Sequence, residues 1–443
     1  TDEKLYYDAY YALSKGETID AADGLSQLLK LHPGNFQIVR LLAGLKRRTN
    51  EFTGALETLA SATPETPRQA IALKSDECQL RIQLMQYESA IRLAREILPK
   101  ARELSMKREE LLILDALAQA HRNLGLLDET KVFAQEAFDS AEAHGFIRVQ
   151  ALAVSHLSAV AIKRGKYARA SELVEVRESL LADSNDKVAM HQMALTRAEN
   201  MAATGRPLQA YELLTKETIP RMRRDHNTYW EGYAKIVRAE VQRSLGNYEE
   251  AIEDCGSGES LFRTLKNQRL QSFAQVVCAE TMMSAGHLED ARLLLTKARA
   301  TRTKLNLQLI LLQNSLLDAE LLLLEGKAAE AYAIAEAVAD SYQSRKLNND
   351  KVVALDLMAR SALGMDAPQK ALRAASEAVQ LGAAEHIELD ISIRFTHLLA
   401  QQAVQAKDSK RAELQALQSE AREMGYKHLA DQIAASLKVT NAP

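Results

Sequence analysis

Alanine returns along this chain at a nearly constant interval: Ala21, Ala55, Ala90, Ala170, Ala210, Ala251, Ala291, Ala331, Ala371 and Ala412. The steps are 34, 35, 80, 40, 41, 40, 40, 40 and 41 residues, and Thr130 divides the 80. Five residues ahead of most of them stands a turn residue: Gly16, Asn50, Gly125, Gly165, Gly205, Gly246, Gly286, Gly326. A fixed period of this size predicts a repeat array, in which each unit is one supersecondary element that buries its apolar face only against its neighbours. Such an array favours a binding scaffold over an enzyme.

The unit Tyr229 to Leu265 shows the pattern. Its first helix is predicted over YWEGYAKIVRAEVQRSLG, its turn at Gly246 and Asn247, and its second helix over YEEAIEDCGSGESLFRTLK. Apolar residues recur at three- and four-residue spacing in both segments, as amphipathic helices require. Glycine closes the first helix, where a left-handed cap is needed. Seven residues before the turn is a second small column: Ala9, Ala43, Cys78, Ala118, Ser158, Ala198, Ala239, Ala279, Ala319, Ala359 and Ala400. Two small columns let paired backbones approach closely, so leucine at any of these positions is expected to overpack the hairpin.

Small residue, turn glycine, aromatic or leucine two later and alanine five later, as in Ala239, Gly246, Tyr248 and Ala251, resembles the tetratricopeptide repeat (TPR). The resemblance covers essentially the whole chain and implies an all-α, right-handed superhelical solenoid. Residues 1–66 hold two 34-residue units, ending near Pro33-Gly34 and Pro64. Nine longer units of about 40 residues, similar to the sensor region of the maltose-operon activator and related bacterial regulators, follow over 70–425. A capping helix is expected over 426–438, after eleven hairpins with turns at Gly16, Asn50, Met85, Gly125, Gly165, Gly205, Gly246, Gly286, Gly326, Asp366 and Lys407. The tenth unit departs from the pattern, with Gly364 two residues early and Pro368 in the turn. The two prolines of Ser61 to Arg68 mark the one expected joint, a change of repeat style rather than a flexible linker.

Nucleophile, phosphate-loop and metal motifs are absent from the sequence, so no enzyme, cofactor or metal site is expected. The histidines His191, His226, His386 and His397 fall in different units without ligand spacing. The three cysteines, Cys78, Cys255 and Cys278, make neither a disulfide framework nor a metal box; each occupies a core slot and is expected to be a buried small hydrophobe. A net charge of −3 gives no reason to expect direct nucleic-acid binding by this segment. The most apolar stretch, Leu307 to Leu324, is broken by six polar residues, so no membrane span is expected. The start at Thr1, without an initiator methionine or a signal peptide, reads as a segment of something longer or as a mature form, and the resemblance to the longer-unit regulators implies a missing amino-terminal effector domain.

Six residues before each turn the column reads Gln119, Ala159, Glu199, Glu240, Glu280, Glu320, Arg360, Gln401. By the resemblance, this slot faces the concave, ligand-holding groove. Tyr233, Phe273 and Gln313, then Ile236, Val276 and Leu316, fill neighbouring groove slots, and Asn200 lies beside them. An acidic ladder beside an apolar and aromatic strip suits a basic or amphipathic protein or peptide segment. The structural alternative is that these carboxylates pair with Arg197, Arg238 or Arg243 of this chain. Like charges in one groove raise one another's pKa values, so either reading requires a cationic partner.

The family's two-carboxylate clamp for chaperone tails needs Lys, Asn and Arg where this chain has Tyr10, Gly44 and Gln79, which argues against that ligand. The clusters Lys46-Arg47-Arg48 and Arg221-Arg223-Arg224 read as helix-end charges. Tyr6, Tyr7, Tyr10 and Tyr11 crowd the first helix, as an end cap or a packing face. The expected function is a non-catalytic sensing or interaction module of a larger bacterial regulator, with a metabolite sensor using the same groove as the alternative. The expected location is the cytoplasm, or the periplasm for a piece of a membrane-anchored regulator.

Overall fold

The computed structural model describes residues 2–15, 18–49, 51–184, 186–383, 385–405 and 410–439. The expected turn residues Gly16, Asn50 and Lys407 lie outside them. Every regular element described is helical. The chain divides into two compact units, 1–157 and 158–443. The first contains α1 (Asp2–Lys15), α2 (Thr18–Leu31), α3 (Phe36–Arg48), α4 (Phe52–Ala60), α5 (Pro67–Gln83), α6 (Tyr87–Glu103), α7 (Lys107–Asn123) and α8 (Leu127–Ala143). The division falls inside α9 (Ile147–Lys163). The second unit continues with α10 (Tyr167–Leu180), α11 (Lys187–Ala203), α12 (Pro207–Leu213), a π-helical stretch Leu214–Thr218 and α13 (Ile219–Arg224). It is completed by α14 (Thr228–Ser244), α15 (Tyr248–Thr264), α16 (Gln268–Ala285), α17 (Leu288–Lys304), α18 (Gln308–Leu324), α19 (Ala328–Ser344), α20 (Asn348–Gly364), α21 (Pro368–Leu381), α22 (Ile387–Val404), α23 (Arg411–Glu423) and α24 (Lys427–Val439). This is a TPR-like array of about eleven hairpins, with α24 as the final single helix.

The two small columns lie face to face. Across the hairpins, Cys78 Sγ is 3.8 Å from the Ala90 carbonyl and Ser158 Oγ is 3.5 Å from that of Ala170. Ala118, Ala198, Ala239, Ala279, Ala319 and Ala359 are all fully buried, as are Ala170, Ala210, Ala251, Ala291, Ala331 and Ala371. Ala412 is the exception: α23 begins only at Arg411, so Ala412 falls in its exposed first turn, and Leu414 and Leu417 face the core instead.

Turn chemistry follows the backbone rather than residue type alone. Gly246 takes φ +78°, the left-handed conformation expected of it. Met85 (φ 59°) and Asp366 (φ 54°) adopt the same region without being glycine. The tenth unit is therefore regular: Asp366 makes the turn, Gly364 ends α20, and Pro368 opens α21 at a position where its missing N–H costs nothing. Of the proline-bearing segment 61–68, residues 61–66 connect α4 to α5 and Pro67 opens α5, all inside the first unit. Helix length changes across it, from 9 residues in α4 to 17 in α5.

Within the second unit the array returns onto itself. Tyr426, fully buried ahead of α24, donates its hydroxyl proton to the Ala202 carbonyl (2.7 Å) and accepts from the Gly205 N–H (3.0 Å). The Tyr248 hydroxyl meets His428 Nδ1 at 2.6 Å, 180 residues away in sequence. Ser244 donates to Glu388 (2.9 Å), and the Ala168 N–H donates to Glu385 (2.8 Å). Lys163 pairs with Asp350 at 3.3 Å. The early turn tips thus abut the starts of α20, α22 and α24, roughly 180 residues on. Nothing crowds the later turns at Gly286 and Gly326 in this way.

Candidate functional site

The first helices of the hairpins line the inside of this closed turn, and the residues six before each turn project there. Glu199 comes from α11, Glu240 from α14, Glu280 from α16, Glu320 from α18 and Arg360 from α20. A cavity of about 300 Å³ is lined by Glu240, Glu280, Glu320 and Arg360, together with Phe273, Gln313, Val276 and Leu316. Arg302, Tyr342, Asp350, Val353 and Leu357 complete its walls. Tyr233 is not in that lining but stacks on Phe273, with ring centroids 5.7 Å apart and planes at 22°. Ile236 is placed differently from expectation. It is fully buried, packs against Gly258, and belongs to the wall rather than the lumen. Asn200 is also buried and reaches Ser171 at 3.4 Å.

The charges fall into two groups. Toward α20, Glu320 accepts from Arg360 at 2.9 Å, and Arg360 also donates to Asp356 at 3.1 Å. Burial pushes the Glu320 carboxyl up, but the charge and hydrogen bond of Arg360 outweigh it and hold the group below the usual range. Toward α11 the balance reverses. Among the described residues, Glu199, Glu240 and Glu280 form no ion pair and no side-chain hydrogen bond. Burial pushes Glu199 up to about 7. Burial, then the charges of Glu280 and Glu199, push Glu240 up to about 8. Burial also raises Glu280, against the opposing pull of Arg243. The Glu199 charge and burial together lift the Tyr233 phenol well above its usual value.

Of the three arginines expected from sequence to compensate the column, one does so. Arg197 pairs with Glu178 (2.6 Å) and Arg238 with Asp254 (2.6 Å), both away from the column. Arg243 is the one of the three that interacts with the column, beside Arg302 and Arg360 of the cavity wall. Burial disfavours its charge, but the combined field of Glu280, Glu388, Glu240 and Glu320 raises its pKa. Its Nε is buried without a partner, so it sits among the carboxylates bonded to none. Glu388 and His428 were invisible to repeat logic because they meet Ser244 and Tyr248 from 144 and 180 residues away. Burial, then Arg243, pushes His428 down to about 4, so it adds no positive charge at neutral pH.

The cysteines require a correction. Cys255 on α15 and Cys278 on α16 place their sulfurs 2.10 Å apart, in a disulfide. Both slots are buried as expected, but adjacent hairpins bring them face to face, which spacing along the chain does not reveal. Cys78 is a buried free thiol. Among the described residues, no helix is long and apolar enough to cross a membrane. No group of three or more His, Cys, Asp or Glu among them is placed to hold a metal ion.

No family model matches the chain, and no curated protein matches it. Solved structures do. The apo form of the quorum sensor NprR from B. thuringiensis is 14% identical over 84% of this chain and 99% of its own, with a TM-score of 0.47. A STAND signal-transduction ATPase with a tetratricopeptide repeat sensor from Pyrococcus horikoshii is 11% identical over 89% of this chain and 55% of its own (TM-score 0.45). A Rap protein complexed with competence and sporulation factor is 13% identical over 84% of this chain and 98% of its own (TM-score 0.43).

Proposed function

We propose that this chain is a non-catalytic binding scaffold whose second unit holds, in its lumen, a basic side chain of a protein or peptide partner. The observation that carries this reading is the trio Glu199, Glu240 and Glu280, half-buried on the inner face without an ion pair among the described residues. Charged, they are costly to hold there; protonated, they waste their position. An arriving ammonium or guanidinium restores their ionisation, and the stacked rings of Tyr233 and Phe273 offer it an aromatic face. A volume of about 300 Å³ accommodates one long side chain rather than a whole helix, so the partner's backbone lies outside the lumen. The same proposal makes the chain the sensing or interaction module of a larger bacterial regulator.

Closure of the unit favours a second reading, a small cationic metabolite enclosed in the same lumen. Titration calorimetry of the full chain tests both, using a hexapeptide with a central arginine and free agmatine, against wild type and Glu240→Gln/Glu280→Gln. Peptide binding that the double variant loses supports the peptide reading. Agmatine binding alone supports the metabolite reading, and no heat from either probe ends both. The Cys255–Cys278 bond weighs for the periplasmic alternative, because disulfides persist in oxidising compartments.

A further inference from the structure

The first unit has a cavity of its own, about 530 Å³, lined from α1, α3, α4, α5 and α7. Its floor is apolar, formed by Phe36, Leu41, Leu59 and Leu80, but its charge is opposite to that of the lumen. Arg40 lies 5.5 Å from the centre of the Phe36 ring and donates two hydrogen bonds to Asp76, at 2.6 and 3.2 Å. Those bonds leave part of its five-donor fork open. The Arg47 side chain forms no hydrogen bond or ion pair among the described residues. Exposed Arg108 has only its chain neighbour Glu109, at 3.6 Å.

Gly44 lies between Arg40, four residues before it, and Arg47, three after it, on one face of α3. Its φ is not positive, and a Cβ built there meets nothing within 4 Å. Neither backbone nor packing therefore requires glycine, although glycine is a poor residue for a helix interior. What its missing side chain provides is a bare stretch of floor between two guanidinium groups. These arginines are not at the slots of the family's two-carboxylate clamp, which here hold Tyr10, Gly44 and Gln79.

We propose that this cleft is a second binding site, for an extended peptide that carries an anionic group, carboxylate or phosphate, next to an apolar side chain. The anion sits between Arg47, Arg108 and the open edge of Arg40, where planar guanidinium groups suit either oxyanion. The apolar side chain enters the room left by Gly44 and rests on Leu41 and Leu80. The site lies in the first unit and does not depend on the reading of the lumen.

Fluorescence anisotropy on the full chain tests it, with fluorescein-labelled octapeptides alternating leucine with glutamate, phosphoserine or glutamine. At least one anionic peptide is expected to bind ten times more tightly than the glutamine control, and the preferred anion identifies the source. Gly44→Leu is expected to weaken that binding at least tenfold while the melting temperature does not fall, an outcome that a structural role for Gly44 would not give. Arg47→Ala/Arg108→Ala is expected to weaken it similarly and flatten its salt dependence, and Asp76→Asn to strengthen it. Equal binding of charged and neutral peptides overturns the proposal. So does undiminished affinity in the double-arginine variant, which tests the site even if Gly44→Leu is unstable.

Discussion

The two units use one hairpin to opposite ends: the first presents an open, arginine-lined cleft, the second a closed lumen with surplus carboxylates. The repeat itself does not explain the difference, because the facing small columns occur in both units. Closure does: side chains 144 to 224 positions apart join early and late hairpins of the second unit. Carboxylates that would stand in water on an open groove are therefore enclosed in the second unit, and enclosure lifts their pKa values. The arginines of the first unit remain near solvent, where charge is cheap to keep.

The hardest way to break this contrast is to remove its latch. Tyr426→Ala deletes a fully buried ring and two hydrogen bonds, so the second unit is expected to lose about 3–5 kcal/mol. Hydrogen exchange should accelerate in α11, α14 and α24 and stay unchanged in α3 and α5; uniform acceleration would refute the latch. Breaking the Cys255–Cys278 bond, which closes a loop with a sequence separation of 23, is expected to cost about 2–4 kcal/mol, read as the difference in denaturant midpoint with and without reductant. Chemical denaturation of Ala118→Leu and Ala239→Leu should show equal losses of about 1–3 kcal/mol, because both fill a fully buried small slot. A markedly larger loss for Ala239→Leu would mean that closure adds strain to hairpin packing.

The smallest effect concerns protons. In the folded state the Glu240 carboxyl titrates near 8, above its unfolded value of 4.5, so across that window the folded chain keeps a proton that the unfolded chain has lost. Stability should therefore fall as pH rises from about 4.5 to about 8 and then level off. Glu240→Gln should remove part of that slope and stabilise the chain at pH 8 by about 1 kcal/mol after allowance for solvent in the lumen. It should have no such effect at pH 4. Melting curves at the two pH values would decide it, and a variant with the wild-type slope would show that Glu240 is ordinarily ionised.

Local periodicity made the hairpins and the acidic column legible, because both depend on neighbours within one repeat. It also placed Phe273, Val276, Gln313 and Leu316 on the inner face, since a helix fixes what lies four or seven residues from Glu280 and Glu320. Ile236 escaped this logic because Gly258 opposite it opens a space that its side chain fills. The disulfide depends on how adjacent hairpins stack, and the roles of Glu388, His428 and Tyr426 on which distant hairpins meet, information carried by repeat geometry rather than by any one residue. Arg47 was readable only as a helix-end charge, because Gly44 becomes telling only once the space above it is seen.

The return contact also changes how the second unit comes apart. An open array of hairpins has two loose ends and unravels inward from either, one repeat at a time. Tyr426 and Tyr248 fasten late repeats to early ones, so the last hairpin is no longer an end. Pulled from its termini, such a body should resist until the fastening gives and then yield several repeats in one event, whereas the first unit should yield in small steps. It behaves less like a spring than like a buckled strap.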